Sequence, residues 1–137
     1  MDQEFIDAIE KGDVEEVKLL LGNPRTDPAA NNNLAIRGAS ENGHTEVVKL
    51  LLNDPRTDSA ADNNYAIRWA SYHGHIEVVK LLLRDPKVNP AAVNNRPIGR
   101  ASENGHTEVV KLLLNDPRVN PADNKNLAII WLSLIHI

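Results

Sequence analysis

Apolar residues fall along this chain in two alternating patterns. In Thr45-Glu46-Val47-Val48-Lys49-Leu50-Leu51-Leu52, only Glu46 and Lys49 are charged, and they stand three apart. This predicts a short helix, apolar around most of its girth, with a weak Glu–Lys pair on its one polar strip. Such a helix must be covered on several sides, as an element sandwiched between neighbours would be. The other pattern is sparser. In Tyr65-Ala66-Ile67-Arg68-Trp69-Ala70-Ser71, Ile67, Ala70 and Ser71 share a face at i, i+3 and i+4. Its small residues allow a neighbouring helix to approach closely. Gly74 permits a tight reversal into the following helix. Asp54-Pro55 closes the apolar helix, because a residue before proline avoids the helical region.

These patterns repeat. Gly12, Gly43, Gly74 and Gly105 follow one another at steps of 31 residues. The run at 41–52 returns almost unchanged at 103–114, with substitutions at 72–83, and as a weaker copy at 11–21. Self-similarity at such a period predicts an all-α solenoid of stacked helix-turn-helix units. The register divides the chain into an amino-terminal capping unit at 1–26, full units at 27–57, 58–88 and 89–119, and a partial, truncated unit at 120–137. Glu4, Asp7, Glu10, Glu15 and Lys18 give the first unit a wettable outer surface. Asp13 with Glu16 has the spacing of a capping box. Between units, segments such as Asp58-Ser59-Ala60-Ala61-Asp62-Asn63-Asn64 favour turns over a strand. Arg25, Arg56, Lys87 and Arg118 recur just past the second helices. A ladder for an anionic ligand is one reading, and complementing the helix dipoles is the favoured one.

Composition narrows the function. Only 4% of the residues are aromatic, so the core must come from Ala, Leu, Ile and Val. The formal net charge of -4 sets the electrostatics against a nucleic-acid partner. The absence of cysteine excludes a disulfide framework, a thiolate metal site and a cysteine nucleophile, and fits an intracellular, cytoplasmic protein. No apolar run approaches the ~20 residues needed to cross a bilayer, and no secretory signal is visible, so no membrane is expected.

Gly-His-Thr-Glu-Val-Val-Lys-Leu-Leu-Leu at 43–52 and 105–114 resembles the second half of the ankyrin repeat. Ala-Ile-Arg-Trp-Ala-Ser at 66–71 stands where that family has Pro-Leu-His-x-Ala-Ala, and the Val-Asn pairs at 88–89 and 119–120 resemble the end of its loop. The likeness is greatest to the Asn-Asp-Pro-Arg variety found in arrays of large DNA viruses and protists. It implies a protein-binding scaffold or adaptor. There are departures. The unit has 31 residues against about 33 for the family, and the shortfall falls in the loop, whose usual glycine is missing. The family's motif Thr is replaced by Leu34, Tyr65, Arg96 and Leu127, and its His by Arg37, Arg68, Gly99 and Ile130. Short irregular loops are therefore expected in place of full β-hairpins.

A solenoid binds through an extended surface, so positions where otherwise similar units differ are informative. Tyr65, Trp69, Tyr72 and His73 form one helical stripe opposite the Ile67 face, and this helix carries three of the five aromatic residues. Equivalent places hold Glu41 and Asn42 in the preceding unit, and Arg96, Arg100, Glu103 and Asn104 in the next. Aromatic anchors edged by arginine have the composition of an interface hot spot. Trp69 has a structural reading too, filling the space beside Gly38 with Arg100 stacked between Trp69 and Trp131. Partner contact is favoured for Tyr72 and His73.

His44, His75 and His106 form another column, but a full unit's step keeps them from converging within the ~2 Å a metal requires. A structural role beside the glycine turn is expected. No catalytic constellation, cofactor motif or phosphate-binding loop stands out, so an enzyme is not expected. At the other end, the chain runs Ile130-Trp131-Leu132-Ser133-Leu134-Ile135-His136-Ile137 where the turn of a full unit is due. The favoured reading is a fragment of a longer array with a spurious tail. A genuine cap formed by fold-back and self-association through the uncapped terminus are the alternatives. The functional alternative to an adaptor is a spacer in a longer protein whose working domain lies elsewhere.

Overall fold

The computed structural model describes residues 2–120 together with Asp123, Ile129 and Ser133. The expectations for Leu127, Ile130, Trp131 and the rest of the tail lie outside the described residues. Among the described residues eight helices follow in order: α1 (Gln3–Lys11), α2 (Val14–Leu21), α3 (Ala30–Glu41), α4 (Thr45–Leu52), α5 (Ala61–His73), α6 (Ile76–Leu83), α7 (Ala92–Glu103) and α8 (Thr107–Leu114). Each odd-numbered helix packs on the even one that follows, and two rows result: α1, α3, α5, α7 and α2, α4, α6, α8. The described residues form no strand. The chain is a solenoid of helix-turn-helix units.

Its core is laid down in columns. Ile36, Ile67 and Ile98 are fully buried from the first row, and Leu51, Leu82 and Leu113 from the second. Val17, Val48, Val79 and Val110 form a third column. Each such side chain contributes roughly 1.5–3 kcal/mol by leaving water. Ala39, Ala70 and Ala101 are likewise buried; their small size lets adjacent first helices approach. Ser40 and Ser71 lie among them, with hydroxyls that find no hydrogen-bond partner among the described residues.

The loops do not run irregularly into the first helices. Asn31, Asn32 and Asn33 all take left-handed helical angles, with φ of 54°, 55° and 59°; Asp62-Asn63-Asn64 and Val93-Asn94-Asn95 do the same. Each triplet is one left-handed turn, closed by a bond from its third N–H to the carbonyl of Ala29, Ala60 or Ala91. Left-handed geometry costs an L-residue roughly 1–2 kcal/mol, and Asn and Asp tolerate it best through local side-chain bonds. Asparagine is therefore there for its backbone and not merely as a loop former. Arginine secures the first two turns. Arg37 donates to the carbonyls of Asn31 and Asn32, and Arg68 to those of Asp62 and Asn63. The third has Gly99 in that place, and Val93 in the left-handed turn.

Polar bonds tie each helix pair to the one before it. His44, His75 and His106 direct Nε2 at the carbonyls of Glu10, Glu41 and Tyr72, at 3.0, 2.9 and 2.9 Å. A carbonyl only accepts, so Nε2 carries the proton, and orphan carbonyls at the ends of α1, α3 and α5 are satisfied. The same rings pack on Gly12, Gly43 and Gly74, where an added Cβ would stand 2.5–2.7 Å from Nδ1. With φ near +70° as well, these positions require glycine. The dipole reading of the recurring cations needs correcting for Arg56, Lys87 and Arg118. Arg56 grips the carboxylate of Asp54 with two nitrogens and donates a third bond to the Thr26 carbonyl at 2.7 Å. Arg118 grips Asp116 alike and reaches back to Val88 and Leu83, and Lys87 reaches Thr57. These cations join successive loops. Only the Arg118–Leu83 bond meets a helix end.

At α2, Asp13 accepts from the Glu16 N–H at 3.2 Å, but its own N–H goes to Ala8. The capping box is thus half formed. Leu19 interrupts the wettable surface, being 73% exposed.

Candidate functional site

Tyr65, Trp69, Tyr72 and His73 lie along α5, on the side opposite buried Ile67, Ala70 and Ser71. Helical spacing brings the rings together: Trp69 is 5.8 Å from Tyr65 and 5.1 Å from Tyr72 between centroids, and Tyr72 meets His73 edge-on at 5.0 Å. Such pairs are worth ~0.5–1.5 kcal/mol beyond their burial, so the stripe is held by its own contacts. Tyr72 remains 37% exposed.

Glu41, the last residue of α3, joins the stripe from one side. Its Oε1 accepts from the Tyr65 hydroxyl, and its Oε2 lies 3.9 Å from His73 Nε2. Burial first, and then the bond to Glu41, push the Tyr65 phenol up to about 12. Arg37 and Arg68 stand 5.2 and 5.8 Å from the Tyr65 ring centroid, where a cation meets the negative face of the ring. His73 stacks onward to His75 at 5.7 Å. Burial, the largest cause, lowers the His75 pKa, and the neighbouring imidazoles His73, His106 and His44 lower it further against the Glu41 carbonyl bond.

On the other side, between α5 and α7, an open pocket of about 280 Å³ is lined by Arg68, Trp69, Tyr72, Arg96 and Arg100. Arg100 pairs with Glu103 at 2.9 Å. Arg96 is exposed and holds no hydrogen bond or ion pair among the described residues. The proposed filling of Gly38 by Trp69 does not occur: the one atom within 4 Å of a Cβ at Gly38 belongs to Ile9. Nor does Arg100 stack on Trp69; among the described residues the cations over rings are Arg37 and Arg68, both at Tyr65. Asn104 donates to the Tyr72 carbonyl at 3.3 Å, beside the bond from His106, so it fastens α7 to α5. Asn42 is exposed at the end of α3.

Sequence reasoning thus singled out the stripe and its arginine edge but overlooked Arg37 and Arg68. The signal was present: an arginine recurring at the unit's period, just after an Asn-rich triplet. The described residues contain no cluster suited to a metal ion, and no described helix is long and apolar enough to cross a membrane.

The family model for ankyrin repeats matches in three copies, over residues 5–94 and 37–125. No curated protein sequence matches the chain. Among solved structures it is similar to a chain in the crystal structure of the yeast ribosomal protein Rps3 in complex with its chaperone Yar1. The two are 26% identical with a TM-score of 0.68, over 88% of this chain and 98% of that one.

Proposed function

The chain belongs to the ankyrin repeat family, and from that premise we propose that it binds a partner protein through the concave face formed by its first helices and loops, centred on the α5 stripe. The family and the similar structure, a chaperone in complex with a ribosomal protein, support a protein-binding repeat scaffold. The observation that carries the finer reading is Tyr72, left 37% exposed in a ring cluster beside arginines. Aromatic and arginine side chains dominate binding energy because they bury much surface at little entropic cost. Neither the matched family nor the described site offers a catalytic arrangement. In this reading the units run 27–57, 58–88 and 89–119, behind a cap at 1–26, in a cytoplasmic protein.

The test replaces Tyr72 and His73 by the residues found at those places one unit earlier, as Y72E/H73N. The two proteins, immobilised, are compared for the proteins they retain, and their melting is followed by circular dichroism. Loss of specific capture with melting unchanged supports the reading. Unchanged capture overturns it and leaves the spacer. A large loss of stability assigns the two side chains to the core.

A further inference from the structure

Resting on the concave-face reading, we infer that the pocket between α5 and α7 takes an acidic peptide segment carrying an apolar side chain next to its carboxylates. The pocket joins two chemistries in one place: the rings of Trp69 and Tyr72, and the guanidinium groups of Arg68, Arg96 and Arg100. The charge is out of keeping with the chain, which is acidic overall at -4. Three arginines meeting in one concavity of such a protein are complementary to an acidic partner.

These arginines do not serve the same end. Arg68 is committed to the carbonyls of Asp62 and Asn63, so it supplies a fixed positive field. Arg100 is balanced by Glu103 on an exposed surface, a pairing of the kind worth little in water. A partner carboxylate can take over that guanidinium at small cost. Among the described residues Arg96 has no partner to surrender. One unit earlier the places of Arg96 and Arg100 hold Tyr65 and Trp69, and two units earlier Leu34 and Gly38, so the positive edge belongs to this junction alone.

The rings set the remaining requirement. Trp69 and Tyr72, 5.1 Å apart, offer an apolar wall within reach of the charges. A peptide is favoured over a nucleic acid because carboxylates lie at the pocket and beyond it: Glu103 on Arg100, and Glu41 and Asp62 around Tyr65 and Arg37 across the stripe. A phosphate backbone continuing past the pocket would meet those carboxylates, and its affinity depends on many phosphate contacts. A short acidic segment displaces Glu103 from Arg100 and ends before it reaches Glu41 and Asp62.

The test uses the full chain and a fluorescein-labelled peptide, Glu-Glu-Leu-Asp-Glu-Glu, followed by anisotropy. Its Gln/Asn counterpart, a Lys counterpart and a labelled oligouridylate serve as competitors. The acidic peptide should bind, weaken as salt shortens the Debye length from about 10 Å at 0.1 M, and lose on the order of tenfold in affinity with R96E/R100E. The variant K49E/R84E, with the same charge change on the row of second helices, should bind like the parent. Melting checks that both variants fold. No binding of the acidic peptide, equal binding of its Gln/Asn or Lys counterpart, tighter binding of the oligouridylate, or equal losses in both double variants would each overturn the inference. Y72E/H73N separates the two readings. If it abolishes partner capture while the acidic peptide never binds, the concave face stands and the acidic specificity falls.

Discussion

The Tyr65 hydroxyl donates to Glu41 Oε1 at 2.5 Å, although the two residues lie 24 apart in the chain. The bond spans the contact between α3 and α5 and sets one edge of the aromatic stripe. Burial is the larger cause of the Tyr65 shift to about 12, with Glu41 second. Replacing Glu41 by Gln should therefore lower the phenol's midpoint while leaving it above the ordinary 10.0. Absorbance at ~295 nm during alkaline titration reads this directly, with Y65F identifying the transition. The sign for stability follows. The folded state keeps its proton longer than the unfolded state, so this contribution is complete below pH 10 and is lost as pH rises through about 12.

Val93 has φ of 55° in a left-handed turn whose equivalents start with Asn31 and Asp62. A β-branched residue suits that region poorly, and nothing is gained from its side chain, which is 43% exposed. V93N should raise stability by about 1 kcal/mol, measured by urea unfolding. A Cβ at Gly99 would meet nothing within 4 Å, so adding G99R should restore the carbonyl clamp and stabilise further. A loss with V93N would mean that the turn does not hold this geometry in solution.

Ser40 and Ser71 are fully buried with unbonded hydroxyls. Alanine fills nearly the same space without a polar atom to desolvate. S40A and S71A should each raise stability by about 1 kcal/mol, approximately additively in the double variant. Destabilisation by either would show that the hydroxyl has found a partner, such as a carbonyl one turn back.

His75 has a lowered pKa, chiefly through burial. The unfolded state therefore binds its proton first as pH falls, and stability is lost from 6.5 downward through the lower folded value. Urea midpoints at about pH 8 and 5 should differ less in H75Q than in the parent, while the parent is the more stable at the higher pH. An unchanged pH dependence would place the acid sensitivity elsewhere.

The stack was legible because its evidence is periodic. Val48 and Leu51 recur at each step and Val47 at all but the first, and four glycines hold the register without a gap. The ring stripe on α5 was legible for a related reason: i, i+4 and i+7 spacing fixes a face whatever the tertiary context. What sequence did not disclose was the handedness of the loop. Asn-rich triplets favour turns generally, and hydrophobic periodicity carries no information on the sign of φ. The cross-unit partners were hidden as well. Arg56 could be seen to follow a helix end, but its bond to Thr26 depends on how far one unit is displaced from the next. For Trp69, matching registers suggested Gly38 as its neighbour, whereas ring-to-ring attraction within α5 holds it beside Tyr65 and Tyr72.

Among the described residues, side-chain bonds to a backbone carbonyl of another helix pair share one sense: His75 to Glu41, Arg56 to Thr26, Lys87 to Thr57, Asn104 to Tyr72. The later segment gives and the earlier one receives. Such wiring is indifferent to how many units it passes through. Excising 31 residues within the array would bring each donor to an acceptor of the same kind, as would duplicating them. The polarity of these bonds therefore gives the gene a modular grammar, in which whole units can be gained or lost while the joints between them stay intact.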